Sequence, residues 1–525
     1  MTCVDQCYTA NNASDILTAD WRETHIQLLL SRPCTPTKEE SLTHTNPPES
    51  PYQSVTPDLI RELSDIVGAS FILYDAPDRM LDYSHDEVPG EEHAHMPDVV
   101  VKPDTAEQIS EIMKLANRER IPVTPRGAGS GLSCGAVPVH GGILLSTERM
   151  NRIVEIDRDN MVAVVEPGVI TGELSSAVRE HGLFYAGYPM SVELCSIGGN
   201  VAENAGGGRA IKYGVTGRYV MGLEVVLPTG EIVRLGGKRV KDVTGYDLIS
   251  LLVGSEGTLG VFTKITLRLL PQTTVRVVLL IPFEDVPSAI GAAPKIMTQG
   301  RVLPTSLEFM GPLAVKTVYE YLGERPPHPN IGAMLLIEVD GTSQEQVDTE
   351  YNAIIDLCLD LGALDVYVGN TPSTEKRMWR VRQEIAEAFL AICPVQSIED
   401  IVVPMAQIPD LMPELERLSQ KYDVLMPCFG HAGDGNLHIH IVKNPETSPE
   451  AWQEQLPRIL TELYTAVAGL GGTISGEHGV GSKRSHYLPL VLGPVLIDVQ
   501  RRIKKLFDPL DILNPGKIFP PAEAG

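Results

Sequence analysis

The chain has 525 residues, too many for one ordinary core, so two or more domains are expected. Its 43% hydrophobic and 21% charged content is that of a soluble globular protein, and a net charge of -25 argues against nucleic-acid or anionic-membrane partners, which would repel it. An anionic small molecule would need a local basic pocket, which makes individual Arg and Lys residues informative.

No stretch reaches the roughly 18 apolar residues that span a bilayer, so no transmembrane segment is expected. The N-terminus lacks the basic and apolar regions of a secretory signal. Eight scattered cysteines without a Cys-x-x-Cys pair fit a reduced cytoplasmic setting and argue against an iron–sulfur cluster of the chain's own. Cys3 and Cys7 read as a coincidence at a loose end.

Residues 1–53 are polar and irregular and read as a flexible arm. From about 56 the chain becomes orderly. Residues 58–67 pattern as an amphipathic helix, 98–101 as a short strand, and 105–120 as a helix with Thr105 as N-cap. A strand over 121–125 leads into Arg126-Gly-Ala-Gly-Ser-Gly131, completing a β-α-β unit that feeds a Gly-rich loop. Strands follow at 143–146 and 161–166. Residues 222–234 read as a hairpin turning at Pro228-Thr-Gly230, and 261–268 as a half-buried strand. After Pro271 strands at 275–282 and 334–339, with helix-like stretches such as 286–299, indicate an α+β unit on an antiparallel sheet. Residues 508–521 form a Gly/Pro-rich tail.

Three Gly-rich runs share one span of 135 residues: 126–131, Ser196-Ile-Gly-Gly-Asn-Val-Ala-Glu-Asn-Ala-Gly-Gly-Gly208 and Val253-Gly-Ser-Glu-Gly-Thr-Leu-Gly-Val261. The first lacks the full G-x-G-x-x-G spacing and has no Walker lysine. It still lets backbone N–H groups approach a pyrophosphate, with Ser130 as a further donor. Any one run is an ordinary turn; three beside strands point to a large cofactor lying close to backbone.

The second half carries His431-Ala-Gly-Asp-Gly-Asn-Leu-His438 and, some forty residues on, Gly476-Glu-His-Gly479. Imidazoles plus a carboxylate are the ligand types of a zinc-like divalent cation, and a spare His beside the carboxylate can serve as a base. Gly433 and Gly435 permit the tight path that returns His431 toward His438. Leu437-His-Ile-His-Ile441 alternates, which puts His438 and His440 on one face of a strand. Satisfied core histidines at a turn are the bland alternative; three histidines in ten residues and a second Gly-rich Glu-His turn outweigh it.

These motifs, with Lys212-Tyr-Gly-Val215, Asp242-Val-Thr-Gly-Tyr-Asp-Leu248 and Leu513-Asn-Pro-Gly-Lys517, resemble flavoproteins of the vanillyl-alcohol-oxidase type. Within them the chain is similar to the group of glycolate oxidase catalytic subunits and D-lactate and D-2-hydroxyglutarate dehydrogenases. The resemblance covers about residues 56–521. It implies an α+β fold: a two-subdomain FAD-binding domain over 54–272, a substrate (cap) domain with an antiparallel sheet over 273–484, and a segment over 485–525 that returns to the FAD domain.

The resemblance also implies site residues. Pro125, Arg126, Gly127, Ala128, Gly129, Ser130 and Gly131 would wrap the FAD pyrophosphate. Gly198, Gly199 and Asn200, and Glu256, Gly260 and Val261, would follow the ribityl chain and ring. Ser191, Ser196, Gly206 and Asn514 complete that set. Ser130 stands where covalent relatives place a His, so noncovalent FAD is expected. His431, His438 and Glu477 would hold one zinc, manganese or iron ion, with His478 as catalytic base. Arg382 would bind the substrate carboxylate, Arg380 staying open as its neighbour, and His440 and Asn436 would contact substrate.

The implied reaction is oxidation of a small D-2-hydroxy acid to the 2-oxo acid. Electrons would pass to an electron-transfer flavoprotein, an iron–sulfur subunit or a quinone-linked carrier; a homodimer and peripheral attachment to a membrane complex are compatible. Two departures from the D-2-hydroxyglutarate enzymes, Ile398 in place of Lys and His440 in place of Asn, favour D-lactate or glycolate over that dicarboxylate, which stays the alternative. A non-redox alkyl-dihydroxyacetone-phosphate-synthase type is weaker still. So are a non-catalytic FAD subunit and an oxidase of phenols or sugars, because the His/His/Glu set and the base are all present.

Overall fold

The computed structural model describes residues 51–187 and 189–521. Nearly all of the arm expected over 1–53, with Cys3 and Cys7, lies outside the described residues.

The first sheet contains β1 (Ile72–Leu73), β2 (Val99–Val101), β3 (Val123–Arg126) and β4 (Ile143–Ser146) in the order β1-β2-β4-β3. β2, β4 and β3 are parallel. β2 and β4 are buried throughout and apolar but for Ser146 at the end of β4, as strands covered on both faces require. The helix Ala106–Glu119 starts where expected, with the Thr105 hydroxyl accepting from Gln108 N at 3.2 Å. The β-α-β unit differs from expectation in one respect. Its two strands are not neighbours, because β4 is inserted between them.

The second sheet holds β5 (Ile153–Asp157), β6 (Val162–Val165), β8 (Val220–Val226), β9 (Ile232–Gly236) and β10 (Val261–Arg268) in the order β5-β6-β10-β8-β9. Between them β7 (Leu183–Phe184) pairs with β11 (Leu270–Pro271). The β8–β9 hairpin turns at the predicted place, with Gly230 at φ +95°.

The third sheet has seven antiparallel strands: β12 (Val275–Phe283), β13 (Ser306–Met310), β14 (Ala333–Gly341), β15 (Tyr367–Gly369), β16 (Gln396–Val402), β17 (Cys428–His431) and β18 (Asn436–Val442). Their order is β15-β12-β14-β13-β17-β18-β16. Period-two alternation divides its side chains. Leu335, Ile337, Leu437 and Ile439 pack with the helices Val286–Thr298, Gln344–Asp360, Ile408–Tyr422 and Pro449–Gly469. Met334, Leu336 and Phe429 face the helices Pro312–Leu322, Pro372–Gln383 and Ile385–Ile392. His438 and His440 alternate with Leu437 and Ile439, so they leave the first of these cores and turn to the face that carries Arg382.

Two ties join the sheets. Asp340 on β14 accepts from Lys212 Nζ at 2.6 Å and from the Tyr213 hydroxyl at 2.8 Å. After the helix Pro494–Phe507 the tail returns to β3: Val123 N donates to Ile512 O at 2.8 Å and Asn514 N to Val123 O at 2.7 Å. Among the described residues no helix is long and apolar enough to cross a membrane.

Arg484 is a fully buried junction. Its guanidinium donates to Leu132 O and Gly479 O at 3.1 Å and to Ile398 O at 3.0 Å, and lies 3.4 Å from Glu399. Removing it takes one of the two cations, Arg484 and Lys483, from the buried Glu399 charge and leaves several carbonyls without their donor. Arg484→Ala is therefore expected to cost roughly 3–5 kcal/mol in denaturant unfolding of the apoprotein; an unchanged midpoint would remove this junction from the stability of the fold.

Candidate functional site

One cavity of about 560 Å³ opens where the three sheets approach each other. Its first wall is the end of β3 and the loop after it, residues 125–131. Arg126 is held back from it, donating to His85 O at 2.7 Å and Asp82 O at 2.9 Å. The second wall is the helix Ile197–Glu203, with Ser196, Gly198, Gly199 and Asn200, flanked by Ser191 and Gly206. The third is the turn into β10, with Glu256, Gly260 and Val261. Asn514 does not line the cavity. Its amide braces the wall from behind, donating to Gly135 O at 2.9 Å and Glu256 O at 2.8 Å.

The glycines of these walls divide into two kinds. A Cβ on Gly127 would overlap the Ser196 hydroxyl, and one on Gly198 would come within 2.5 Å of Pro167 Cβ, so these two let the Gly-rich runs close on their neighbours. Ala128 N donates to the same Ser196 hydroxyl at 3.2 Å. A Cβ on Gly131 or Gly199 would meet nothing nearer than 3.6 and 3.4 Å, ordinary contact distances, so these two are not forced by close packing, and both line the cavity. A cavity lined by glycine backbone fits an FAD, whose pyrophosphate needs close N–H donors.

The far wall is built by the third sheet and residues 477–478: Arg382, Ile398, Phe429, His438, His440, Glu477 and His478. Here three imidazoles converge on one carboxylate oxygen. Glu477 Oε1 lies 3.2 Å from His431 Nε2, 3.4 Å from His438 Nε2 and 3.9 Å from His478 Nε2. Metal–ligand arms of roughly 2.0–2.2 Å set tetrahedral ligand atoms about 3.3–3.6 Å apart; the separations of Glu477 from His431 and His438 are close to that, and the one from His478 is longer. His438 and His478 stack with ring centroids 5.2 Å apart. Ligand atoms of Asp400, His438, Glu477 and His478 also lie within 4.8 Å of one another. Asp400 is an unsuitable ligand: its Oδ2 already accepts from Ser475 Oγ and from the backbone N–H groups of Gly476, Glu477 and His478, at 2.8–2.9 Å.

Two fully buried carboxylates stand behind the cluster, and sequence reasoning missed both. Glu308 on β13 lies 2.6 Å from His431 Nδ1 and accepts from Arg382 Nε at 2.8 Å. Burial works against the charge on His431; Glu308 and Glu477 outweigh it and hold its pKa well above the ordinary imidazole value. Asp400 on β16 faces Nδ1 of His438 at 3.9 Å and of His478 at 4.0 Å. Burial works against its charge, but His478 and His438 hold its pKa well below the carboxylate range. Carboxylates behind metal-ligating imidazoles orient the rings and raise their basicity. The signal for Glu308 was a lone charge inside an apolar strand, Ser306-Leu-Glu-Phe-Met310, and it names no partner; Asp400 sits beside a second acid, Glu399, in β16 and gave none.

Arg382 and Arg380 separate as their helix requires. Arg382 is buried beside Phe429, its guanidinium carbon 4.9 Å from the ring centroid. Arg380 is half exposed among Glu324 and Glu384. Asn436, expected to contact substrate, is absent from the cavity lining. Its amide donates to Asp400 Oδ1 at 2.6 Å and Ile401 O at 3.0 Å, so it helps hold Asp400. His440 does face the cavity, with Nδ1 3.0 Å from Gln396 Oε1 and its ring beside Phe429. Burial holds it neutral, its pKa lowered to about 3.

Comparison with known proteins agrees with this arrangement. Residues 97–236 match the family described as FAD binding domain, and residues 272–518 that described as FAD linked oxidases, C-terminal domain. A D-lactate dehydrogenase of Anaerostipes hadrus is 38% identical over 90% of this chain and 99% of its own. The glycolate oxidase subunit GlcD of Bacillus subtilis is 39% identical over 83% of this chain and 92% of its own. Among solved structures, p-cresol methylhydroxylase with substrate bound superposes with a TM-score of 0.72 at 20% identity, covering 87% of this chain and 96% of that one, which shows a shared fold. The chain belongs to the FAD-linked oxidases and is an FAD-dependent oxidoreductase.

Proposed function

We propose that the protein oxidises a small D-2-hydroxy acid, D-lactate or glycolate, to the 2-oxo acid with noncovalent FAD and one divalent metal ion. The observation that carries this reading is the convergence of three imidazoles on Glu477 in the wall that also bears Arg382. The relatives named above support the same substrate class.

When bound, FAD supplies a hydride acceptor and the metal ion Lewis acidity toward a hydroxyl. The chain supplies the rest. His431, His438 and Glu477 hold the ion. Arg382 pairs with the substrate carboxylate and Phe429 fixes its guanidinium. His478, in the cavity wall, takes the hydroxyl proton. Ile398 and Phe429 add apolar surface to the wall that bears Arg382. Apart from Arg126 on the opposite side, Arg382 is the one Lys or Arg among the described residues lining the cavity. Lys483 is committed to Glu399, 3.0 Å away, and to Ile398 O. A second substrate carboxylate would find no cation, which favours a monocarboxylate over D-2-hydroxyglutarate.

Ser130 stands in the first loop where a covalent attachment would need a His, in keeping with noncovalent FAD. We also propose domain limits of 54–272, 273–484 and 485–525, since the first two sheets, the third sheet and the returning tail divide there. Electrons leave to a separate electron-transfer flavoprotein, iron–sulfur subunit or quinone-linked carrier.

The test is anaerobic flavin bleaching with D-lactate, L-lactate, glycolate and D-2-hydroxyglutarate, before and after chelation. D-lactate or glycolate is expected to bleach the flavin, chelation to stop it, and zinc, manganese or iron to restore it. A yellow enzyme that none of the four reduces defeats the proposal. Arg382→Lys keeps the charge but loses the planar fork, so kcat/KM is expected to fall about 100-fold, roughly 3 kcal/mol, at unchanged flavin content. Glu308→Gln is expected to weaken metal affinity roughly 10–100-fold in a competition titration. An unaltered affinity would confine Glu308 to holding Arg382.

A further inference from the structure

Two carboxyl side chains of the cavity wall take no part in the chemistry above. Glu203 ends the helix Ile197–Glu203, and Glu256 stands in the turn before β10; both line the cavity. They share one glycine. A Cβ on Gly479 would overlap Glu203 Oε2 and lie 3.2 Å from Glu256 Cδ, so the two carboxyls are side by side.

Their surroundings are unequal. Glu256 accepts from Val480 N at 2.8 Å and Gly481 N at 2.6 Å, and Arg484 and Lys517 both act on it. Its backbone is clamped as well: Glu256 N donates to Ala202 O at 2.7 Å, and its carbonyl accepts from Asn514, which holds a non-glycine residue at φ +50°. Two N–H donors and two cations favour a carboxylate. Glu203 has one weak donor, the Ser133 hydroxyl at 3.4 Å from Oε1. Its Oε2 is buried and has no hydrogen-bond partner. Of the charges acting most strongly on it, Glu256 and Asp86 are negative, and the cation is Arg484, which also acts on Glu256. Burial raises the pKa of both carboxyls, and for Glu203 the neighbouring charge of Glu256 acts in the same direction.

We propose that Glu203 and Glu256 hold one proton between them and that Glu203 carries it, standing in the cavity wall as a neutral carboxyl. Two adjacent carboxylates cannot both stay charged in so poorly solvated a place. The arrangement presents one anion instead of two to a cofactor that gains electron density on reduction. A second anion in the wall would oppose that gain, and a neutral carboxyl does not. The inference rests on FAD as the cofactor and is independent of which acid is the substrate.

The experiment is infrared spectroscopy of the oxidised holoenzyme, unlabelled and labelled with ¹³C-glutamate, in H₂O and D₂O. A protonated-carboxyl C=O band that moves with both substitutions is expected. Glu203→Gln should abolish it and leave the flavin midpoint potential unchanged, because a neutral group replaces a neutral group. Glu203→Asp, a second variant should the first fail to hold FAD, should keep a band that no longer moves with the glutamate label. The proposal is overturned if wild-type enzyme shows no such band, if the band survives in Glu203→Gln, or if the midpoint potential rises in that variant, as removal of an anion would make it do.

Discussion

Asp400 is the fixed point of the site. It is fully buried, and its charge is met by five donors: the Asn436 amide, the Ser475 hydroxyl and three consecutive backbone N–H groups. A carboxylate so buried is tolerable only when its lone pairs are filled, and filling them fixes the donors in place. The donors are the turn that carries Glu477 and His478 and the residue that opens β18. One side chain on β16 thus sets where two segments, some forty residues apart in sequence, meet. Both imidazoles it faces, on His438 and His478, then turn Nε2 toward Glu477.

Glu308 does the same on the other side, with a different consequence. It joins His431 to Arg382, so a group that would hold the metal and a group that would bind the substrate carboxylate share one buried anion. The third Gly-rich neighbour of the cluster makes sense in this light. A Cβ on Gly206 would lie 2.8 Å from Glu477 Oε2, and one on Gly208 2.9 Å from Glu308 Oε1. The run after Asn204 is bare because two carboxylates, Glu477 of the turn at 476–479 and Glu308 of the third sheet, rest on it. The first half of that run, around Gly198, closes on Pro167 and serves the cavity. Two physical needs, close approach by backbone and close approach by carboxylates, are met in one stretch of glycines, and Lys212–Asp340 holds the two halves at that distance.

The parts legible in the sequence were those whose cause is local. The helix Ala106–Glu119 has its cap in Thr105, β10 has its alternation, and the β8–β9 turn has its glycine. Placing His438 and His440 on one face needed only the two-residue period of a strand. The insertion of β4 between β2 and β3 was not legible, because parallel pairing is chosen by contacts distant in sequence. The assignment of Asn436 to substrate shows the same limit. A polar residue beside a ligand motif faces cavity or framework according to what crosses behind it, and here Asp400 crosses behind it.

Composition, periodicity and the Gly- and His-bearing motifs therefore determined the α+β class, the flavin cavity's glycine walls and the residue types of the candidate metal site. Tertiary structure alone decided that Arg382 and not Arg380 is buried at the cavity, that Glu308 and Asp400 stand behind the histidines, and that Glu203 lies against Glu256. The physical reason is the same in each case. A side chain's partner across a sheet or between domains is set by packing of segments remote in sequence, and a buried charge reveals its function only when that partner is in place.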